Sequence, residues 1–466
     1  MNFIIETPGN FTKERMYIID LLLSEFLGIN FKIIKKNINN ICIKSDDSKY
    51  LIIDDSFFSV NQSDWLSDNS MPKTPLVDWI VPNKLISKIG NVNIPVIYGL
   101  NPNKKSFFFI SEKNINLGLD IFGSCFFMLT RYEELIMKEK DTLNRFQAKD
   151  SIAFREDFLD RPIVNEYLEI LWFCIKSLWP NAQRKKKIFK TILSHDVDNP
   201  FEYALSSFYK MSRTVIGDVI KRGDFYSAIT RPAKWYKVNY NNIKYDPKNT
   251  FDFIMDTAEK NNLTTTFNFI SDHSNKQRDG NYYLSDKIII SLIKRINDRG
   301  HLIGMHGSFD SYNNFSQLKK EFMLLQNTCN KIGIKQNIWG SRQHYLRFDY
   351  TTTLQYLNDV GLHYDESLTY AERSGFRCGV CYDFQPFNIL TRKKLSIKVR
   401  PLIVMECSVL DEDYMNLSAD NDDAFKKIIE LKNKCRKFNG NFTLLWHNDR
   451  LLDPKEKQLF IKTINS

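Results

Sequence analysis

The spacing of apolar and polar residues changes character near residue 187 of the chain. Before that point, short apolar runs bounded by turn residues predict strands, and longer periodic runs predict helices. The predicted strands are 50–60, 92–100 and 105–111, and the predicted helices are 120–140 and 161–179. From residue 188 onward, strand-like runs alternate regularly with helical patterns. The pattern therefore favours a smaller α+β domain over 1–187, followed by an α/β domain over 188–466.

The second domain contains seven strand-like runs separated by patterns typical of helices. The runs are 188–194, 264–270, 302–306, 337–341, 362–365, 401–407 and 442–447. The helical patterns are 249–262, 285–300, 316–333, 349–361 and 421–440. Repeated strand–helix units predict a parallel sheet, and seven of them are compatible with closure into a barrel. The segment 199–248 is aromatic, basic and far longer than an ordinary connection of about 2–6 residues, so we expect an insertion after the first strand.

The composition is that of an ordinary soluble globular protein. Hydrophobic residues make up 43% and charged residues 26% of the 466 residues, which excludes collagen-like and disordered chains. The net charge of +10 is small for this length, and the sequence contains no long basic block. Charge alone therefore does not indicate a nucleic-acid-binding protein. The eight cysteines are scattered, and neither a secretory signal nor an apolar window of about 18 residues is present. We expect a cytoplasmic protein without a transmembrane segment.

Polar residues of catalytic type recur at one position, the end of a predicted strand. They are Asp196, Asp198, His306, Asp310, Arg342, His344, Asp365, Glu406 and His447. The carboxyl ends of parallel strands meet on one face of a barrel, where catalytic groups gather. Six strands that deliver such groups are difficult to explain by core packing, so the pattern predicts an active site.

Asp196 and Asp198 are separated by one residue, and at a strand end two such carboxylates can point the same way. Two adjacent carboxylates repel each other unless a cation lies between them or one is protonated. A divalent metal bound by one acid would leave the other free as a base, whereas the alternative is a solvated pair that opens a turn. His306 and Asp310 lie four residues apart, and together with Asp198 they would form a mixed set of nitrogen and oxygen ligands suited to zinc. The alternative for His306 is a hydrogen-bonded histidine at a strand end.

His447 follows the last apolar strand, and histidine is well suited to donate a proton near neutral pH. Asp365 or Glu406 could orient this ring and raise its pKa. Arg342 could keep a catalytic carboxylate ionised, because a fixed guanidinium lowers the pKa of a neighbouring acid. The alternatives are a capping histidine and a surface arginine.

Five motifs occur in a fixed order: SHDVD, IGMHGSFDS, SRQHY, DES and LLWH. Together they resemble the polysaccharide deacetylases, the NodB-homology or carbohydrate esterase 4 group, whose fold is a distorted (β/α)7 barrel. The resemblance implies that Asp196 is the base, that Asp198 and His306 are metal ligands, and that His447 is the general acid.

Two motifs depart from the family pattern. Asp310 stands where the family has a second histidine, and His344 stands where it has a proline. The third metal ligand is therefore Asp310 or His344, and the family spacing favours Asp310, with His344 as a substrate contact.

A closer resemblance is to long bacterial deacetylase-like proteins of surface-polysaccharide gene clusters. It rests on DIFGSCFFMLTRYEE at 120–134, RQHYLR at 342–347 and GFRCG at 375–379. This resemblance covers nearly the whole chain. It implies that substrate is contacted by His344, Tyr345, Arg347 and Arg377.

The sequence thus predicts a metal-dependent carbohydrate N-deacetylase that removes an acetyl group from an amino sugar. The resemblance implies a divalent metal, with zinc favoured over cobalt or manganese. The expected substrate is an amino-sugar-containing glycan or its nucleotide- or lipid-linked precursor. Two alternatives stay open: an inactive barrel kept for carbohydrate binding or assembly, and a deformylase of the same fold. The role of residues 1–187 is not predicted.

Overall fold

The computed structural model describes residues 2–466, and of Asn241 only the backbone. The first part of the chain builds a six-stranded sheet in the order β2-β1-β3-β4-β8-β7, together with a hairpin of β5 and β6. Its strands are β1 (Phe3–Thr7), β2 (Phe31–Lys35), β3 (Ile41–Lys44), β4 (Tyr50–Ile53), β5 (Val77–Ile80), β6 (Asn93–Val96), β7 (Phe108–Ile110) and β8 (Asn114–Leu117). Its helices are α1 (Thr12–Ile19), α2 (Asn83–Ile89), α3 (Ile121–Leu129), α4 (Tyr132–Ile136), α5 (Ile152–Arg155) and α6 (Ile163–Leu178).

The helix predicted over 120–140 is broken into α3 and α4 at Arg131. This residue adopts a left-handed conformation with φ of 50° and is fully buried. The break turns its guanidinium toward the second part of the chain, where Nη1 donates to the carbonyl of Arg377 at 2.5 Å and Nη2 to the hydroxyl of Tyr370 at 2.9 Å. The prediction of a single helix was wrong because the partners of Arg131, Tyr370 and Arg377, lie far from it in sequence. The local pattern therefore does not indicate the break.

The second part alternates strands and helices, as the pattern predicts. Its strands are β9 (Lys190–Val197), β10 (Thr265–Ile270), β11 (Leu302–Gly307), β12 (Gly340–Gln343), β13 (Tyr364–Asp365), β14 (Phe387–Asn388), β15 (Lys393–Lys394), β16 (Lys398–Val399), β17 (Val404–Met405) and β18 (Asn441–Leu445). Its helices are α7 (Phe208–Gly217), α8 (Phe225–Tyr236), α9 (Phe251–Lys260), α10 (Lys287–Asp298), α11 (Phe315–Lys331), α12 (Thr352–Asp359), α13 (Glu406–Leu410), α14 (Asp422–Lys437) and α15 (Pro454–Asn465). The five predicted helices correspond to α9, α10, α11, α12 and α14.

Eight of these strands form one sheet in the order β16-β13-β12-β11-β10-β9-β18-β17, and each neighbouring pair is parallel. The sequence predicted seven strands, and the additional one is the two-residue β16. The edge strands β16 and β17 are separated in the chain by residues 400–403 alone. Four residues span at most about 14 Å, so the sheet must curl until its two edges approach each other. Because all neighbouring pairs are parallel, the carboxyl ends of the strands lie together at one edge of the curled sheet.

Most buried apolar side chains of both parts of the chain join into one continuous cluster, and a second, smaller cluster consists of Leu346, Ala371, Leu402, Met405 and Leu445. A buried ion pair crosses between the parts, since Arg377 donates to both oxygens of Glu134 at 2.9 and 2.8 Å. The pair connects two of the motifs, TRYEE and GFRCG. None of the helices in the described part of the chain has both the length and the apolar character needed to cross a bilayer.

Candidate active site

A cavity of about 430 Å³ opens at the carboxyl ends of the parallel strands. Six of the twelve predicted site residues line it. They are Asp196, Asp198, His306, His344, Tyr345 and His447. Because these residues come from the ends of four strands and the turns that follow them, the parallel sheet brings together side chains up to 251 positions apart in sequence.

Asp198 lies at the centre of this group. Its Oδ1 is 3.2 Å from Nε2 of His306. Its Oδ2 is 3.7 Å from Nε2 of His344 and also 3.7 Å from Nε2 of His447. Burial alone would raise the pKa of Asp198, but His344 and His306 outweigh it and bring the pKa well below its ordinary value. The carboxylate is therefore ionised at any pH near neutrality.

Each of the three histidines has its other ring nitrogen engaged. Nδ1 of His306 lies 2.9 Å from the carbonyl of Arg342, and Nδ1 of His344 lies 3.0 Å from Oδ1 of Asp279. Nδ1 of His447 lies 2.5 Å from Oε1 of Glu406. Because each partner atom is a hydrogen-bond acceptor, each Nδ1 can carry the proton. A proton on Nδ1 leaves Nε2 of a neutral ring as a lone-pair donor. Hydrogen bonds of this kind orient histidines that bind metals.

The donors around Asp198 fit a divalent metal ion. Asp198, His306 and His344 each offer one ligand atom, and these atoms lie within 4.8 Å of one another. Two ligand atoms of a tetrahedral zinc site are about 3.3 Å apart, which is close to the 3.2 and 3.7 Å separations found here. In addition, Oδ1 of Asp198 is buried without a hydrogen-bond partner among the described residues. Such an oxygen is costly unless a cation satisfies it.

Asp310, the first-ranked third ligand in the sequence prediction, lies outside this group. Its side chain is 49% exposed, and its Oδ1 pairs with Nη1 of Arg347 at 2.6 Å. The loop after β11 does not continue as a helical turn, because the backbone N–H of Asp310 donates to the Ser274 hydroxyl. The four-residue spacing from His306 therefore does not bring Asp310 to the cluster, and the geometry favours His344 as the third ligand.

Asp196 is buried next to Asp198 and is held by a fixed cation. Its Oδ1 accepts from Nη1 of Arg342 at 2.7 Å and from the amide of Asn268 at 2.8 Å. Burial would raise the pKa of Asp196, but Arg342 and His306 together lower it below its ordinary value. The second oxygen, Oδ2, lies 3.9 Å from Nε2 of His306. Asp196 is thus an ionised carboxylate with one oxygen directed to the cluster.

Glu406, and not Asp365, contacts His447. Its Oε1 accepts from the backbone N–H of His447 at 2.8 Å in addition to the ring contact. Burial would lower the pKa of His447, but Glu406 raises it well above the ordinary value. Asp365 instead accepts from the Ser341 hydroxyl at 2.8 Å and from the backbone N–H of Ser367 at 2.9 Å, and burial raises its pKa to about 6. It shapes the turn after β13.

The predicted substrate contacts divide into two pairs. His344 and Tyr345 line the cavity, and Tyr345 adopts a left-handed backbone with φ of 57°. Arg347 and Arg377 are not among the described residues that line it. Arg347 donates to the carbonyl of Phe309 at 2.6 Å, and Arg377 is committed to Glu134, so both arginines act here as structural links.

The sequence interpretation missed two buried acids that organise the site. Asp279 orients His344 and also accepts from the backbone N–H of Phe309 at 2.7 Å. Glu366 accepts from Nη2 of Arg342 at 2.9 Å and from Nη1 of Arg400 at 2.9 Å. Asp279 precedes a glycine in a segment that predicts a turn. The sequence around it therefore indicates a loop and does not identify Asp279 as a site residue. Glu366 lies inside a recognised motif, but its neighbours Asp365 and Ser367 carry the family pattern.

Comparisons with known proteins give a family match for the first part of the chain. A family model described as a family of unknown function, DUF7033, matches residues 3–180. No curated protein matches the chain.

Solved structures resemble the chain at low similarity. A provisionally named polysaccharide deacetylase from Mycobacterium smegmatis has 14% identity and a TM-score of 0.38, over 60% of this chain and 84% of the other. PuuE allantoinase has 12% identity and a TM-score of 0.37, over 62% and 85%. A provisionally named polysaccharide deacetylase from Pseudomonas aeruginosa PAO1 has 9% identity and a TM-score of 0.35, over 60% and 84%.

Proposed function

We propose that the chain is a metal-dependent amide hydrolase that removes an N-acetyl group from an amino sugar. One observation carries the proposal: three histidines direct Nε2 toward the single carboxylate of Asp198, and each ring is fixed from behind through Nδ1. A solvated turn or a simple core histidine does not require this arrangement. The carbohydrate class of substrate rests on the motif resemblance.

In this proposal Asp198, His306 and His344 hold the metal. When bound, a zinc ion supplies Lewis-acid chemistry toward an acyl carbonyl and favours the ionisation of water at the site. Two histidines and one carboxylate are a common ligand set of catalytic zinc, and they leave one position open. Cobalt or manganese can be accepted by the same donors.

Asp196 is the proposed general base. Its Oδ2 faces the cluster and is free to accept a proton from an attacking water, while Oδ1 is fixed by Arg342 and Asn268. Arg342 is a positioning residue, since it contacts Asp196 and Glu366 inside the sheet and does not reach the cavity. The ionised state that Arg342 maintains is the state a base needs.

His447, whose Nε2 lies 3.7 Å from Oδ2 of Asp198, is the proposed general acid. An amine leaves poorly unless it is protonated, and His447 lines the cavity with a raised pKa. Glu406 maintains the protonated ring and fixes its orientation.

We further propose that the enzyme works in the cytoplasm on a nucleotide- or lipid-linked precursor. The test is acetate release from nucleotide-linked, lipid-linked and polymeric N-acetylhexosamines, using metal-free protein and protein loaded with zinc, cobalt or manganese. We expect release that requires metal and disappears in Asp196→Asn. Formate release from N-formyl substrates alone would indicate a deformylase, and metal binding without any release would indicate an inactive barrel.

A further inference from the structure

The insertion after β9 forms a helical hairpin, which we define as residues 206–245. α7 continues as a π-helix through Arg222, the chain turns at Gly223, and α8 returns. Polar contacts hold the two arms together: Arg231 donates to Asp218 at 2.7 Å, and the Trp235 indole N–H donates to the Ser206 carbonyl at 2.6 Å. The hairpin therefore has a defined shape.

The outer surface of this hairpin is unusually apolar. The described residues include 27 large hydrophobic side chains that are exposed, and 11 of them belong to these 40 residues. Six flank the turn, namely Ile216, Val219, Ile220, Phe225, Tyr226 and Ile229. Three of these, Ile220, Tyr226 and Ile229, are 76%, 73% and 77% exposed. Isolated exposed apolar residues are normal, but a concentrated set marks an interaction surface.

The same hairpin carries most of the excess positive charge of the protein. It contains eight lysines and arginines but only two acidic residues, a net charge of +6 out of +10 for the whole chain. Asp218 is buried against Arg222 and Arg231, and Asp224 accepts from the backbone N–H of Ser227 at the start of α8. Asp218 is buried and Asp224 is exposed, so the exposed charges of the hairpin are predominantly positive.

The base of the hairpin adjoins the candidate active site. The side-chain amide of Asn448, the residue after His447, donates to the carbonyls of Asn199 at 3.3 Å and Lys248 at 3.1 Å. Thr250 donates to the carbonyl of Asn448 at 2.7 Å, and Asn199 itself lines the cavity. Both ends of the insertion are therefore anchored beside His447, next to the opening of the candidate active site.

We propose that the hairpin docks the protein on an anionic phospholipid bilayer. Exposed Ile and Phe side chains at the turn would enter the boundary between headgroups and acyl chains, and Tyr side chains suit the headgroup level. Lysines and arginines would contact anionic headgroups, each adding electrostatic attraction. The net charge of +6 favours an anionic bilayer over a second copy of the chain, because two copies of the same cationic surface would repel each other. If the proposed function holds, docking also favours a lipid-linked amino sugar over a soluble one.

The test is flotation of the full-length protein with vesicles of phosphatidylcholine containing 30% phosphatidylglycerol, compared with pure phosphatidylcholine. We expect binding to the anionic vesicles that weakens at least about tenfold in pure phosphatidylcholine and several-fold at 0.5 M NaCl. Ile220→Ser with Phe225→Ser should reduce binding about tenfold, and Lys221→Gln with Lys234→Gln should also weaken it. Ile338→Ser with Leu390→Ser removes two apolar side chains that are 57% and 64% exposed elsewhere on the protein, and it should leave binding unchanged.

No flotation of the wild-type protein, or equal flotation of the hairpin variants, would overturn the proposal. A salt-insensitive dimer in sedimentation velocity that dissociates in Ile220→Ser with Phe225→Ser would assign the hairpin to self-association instead. None of these measurements depends on metal or on deacetylation, so their outcome is separable from that of the proposed function.

Discussion

The Nε2 atom of His306 lies 3.2 Å from Oδ1 of Asp198, and that buried oxygen has no hydrogen-bond partner in the described part of the chain. The Nδ1 atom of His306 lies 2.9 Å from the carbonyl of Arg342, which accepts a hydrogen bond when Nδ1 carries the proton. A neutral ring in this tautomer presents the lone pair of Nε2 to a carboxylate oxygen. Two electron-rich atoms at this distance are stable when a cation lies between them. The relationship leads directly to predictions about metal content.

Metal content should distinguish His344 from Asp310 as third ligand. We expect Asp198→Ala, His306→Ala and His344→Ala to lose stoichiometric zinc after dialysis, because each removes one of the three clustered donors. Asp310→Ala is the matched control and should retain zinc, since Asp310 pairs with Arg347 at the surface. Mass-spectrometric metal analysis of the purified variants measures this. Loss of zinc in Asp310→Ala with retention in His344→Ala would reverse the choice.

Asp196→Asn should separate catalysis from metal binding. The amide keeps the size of the side chain but cannot accept the proton of water, so acetate release should fall at least about 100-fold. Zinc content should stay near that of the wild type, because Asp196 lies outside the group of three clustered donors. Near-normal turnover would contradict the role of Asp196 as base.

Glu406→Gln should move the alkaline limb of the pH–rate profile. Glu406 raises the pKa of His447, and the acid must be protonated to act. Removing the negative charge lowers that pKa, so activity should be lost at a lower pH than in the wild type, while the acid limb should change less. An unchanged alkaline limb would show that another group supplies the proton.

Glu321→Gln should change how stability depends on pH. Glu321 is buried and accepts from the backbone N–H of Ser308 at 3.1 Å, and burial raises its pKa from 4.5 to about 7. The folded protein therefore binds more protons than the unfolded chain between these values, and stability falls as pH rises through this range. The cost above pH 7 is up to about 3 kcal/mol. Urea unfolding at pH 5 and pH 8 should show a smaller difference for Glu321→Gln than for the wild type, and an equal difference would contradict this assignment.

The strand ends that carry Asp196, Asp198, His306 and His447 could be predicted because each follows a continuous apolar run. Local pattern fixes the position of such a residue, and parallel pairing then brings the strand ends together. The third ligand could not be predicted in this way. Asp310 and His344 both lie in irregular turns, whose course depends on distant partners.

The residues that Arg342 and Arg377 contact could not be predicted from the sequence either. Arg377 binds Glu134 and Arg342 binds Glu366, contacts that span 243 and 24 residues. A motif identifies such a residue as a candidate but does not say what it contacts. The eighth strand, Lys398–Val399, was missed because two residues carry no periodic pattern.

Whether Asp198, His306 and His344 hold a divalent metal can be observed in a crystal grown with zinc. Diffraction is measured on both sides of the zinc absorption edge. We expect one anomalous peak within about 2.2 Å of Oδ1 or Oδ2 of Asp198 and of Nε2 in both His306 and His344. A peak coordinated by Asp310, or no peak among these three residues at full zinc occupancy in solution, would contradict this expectation.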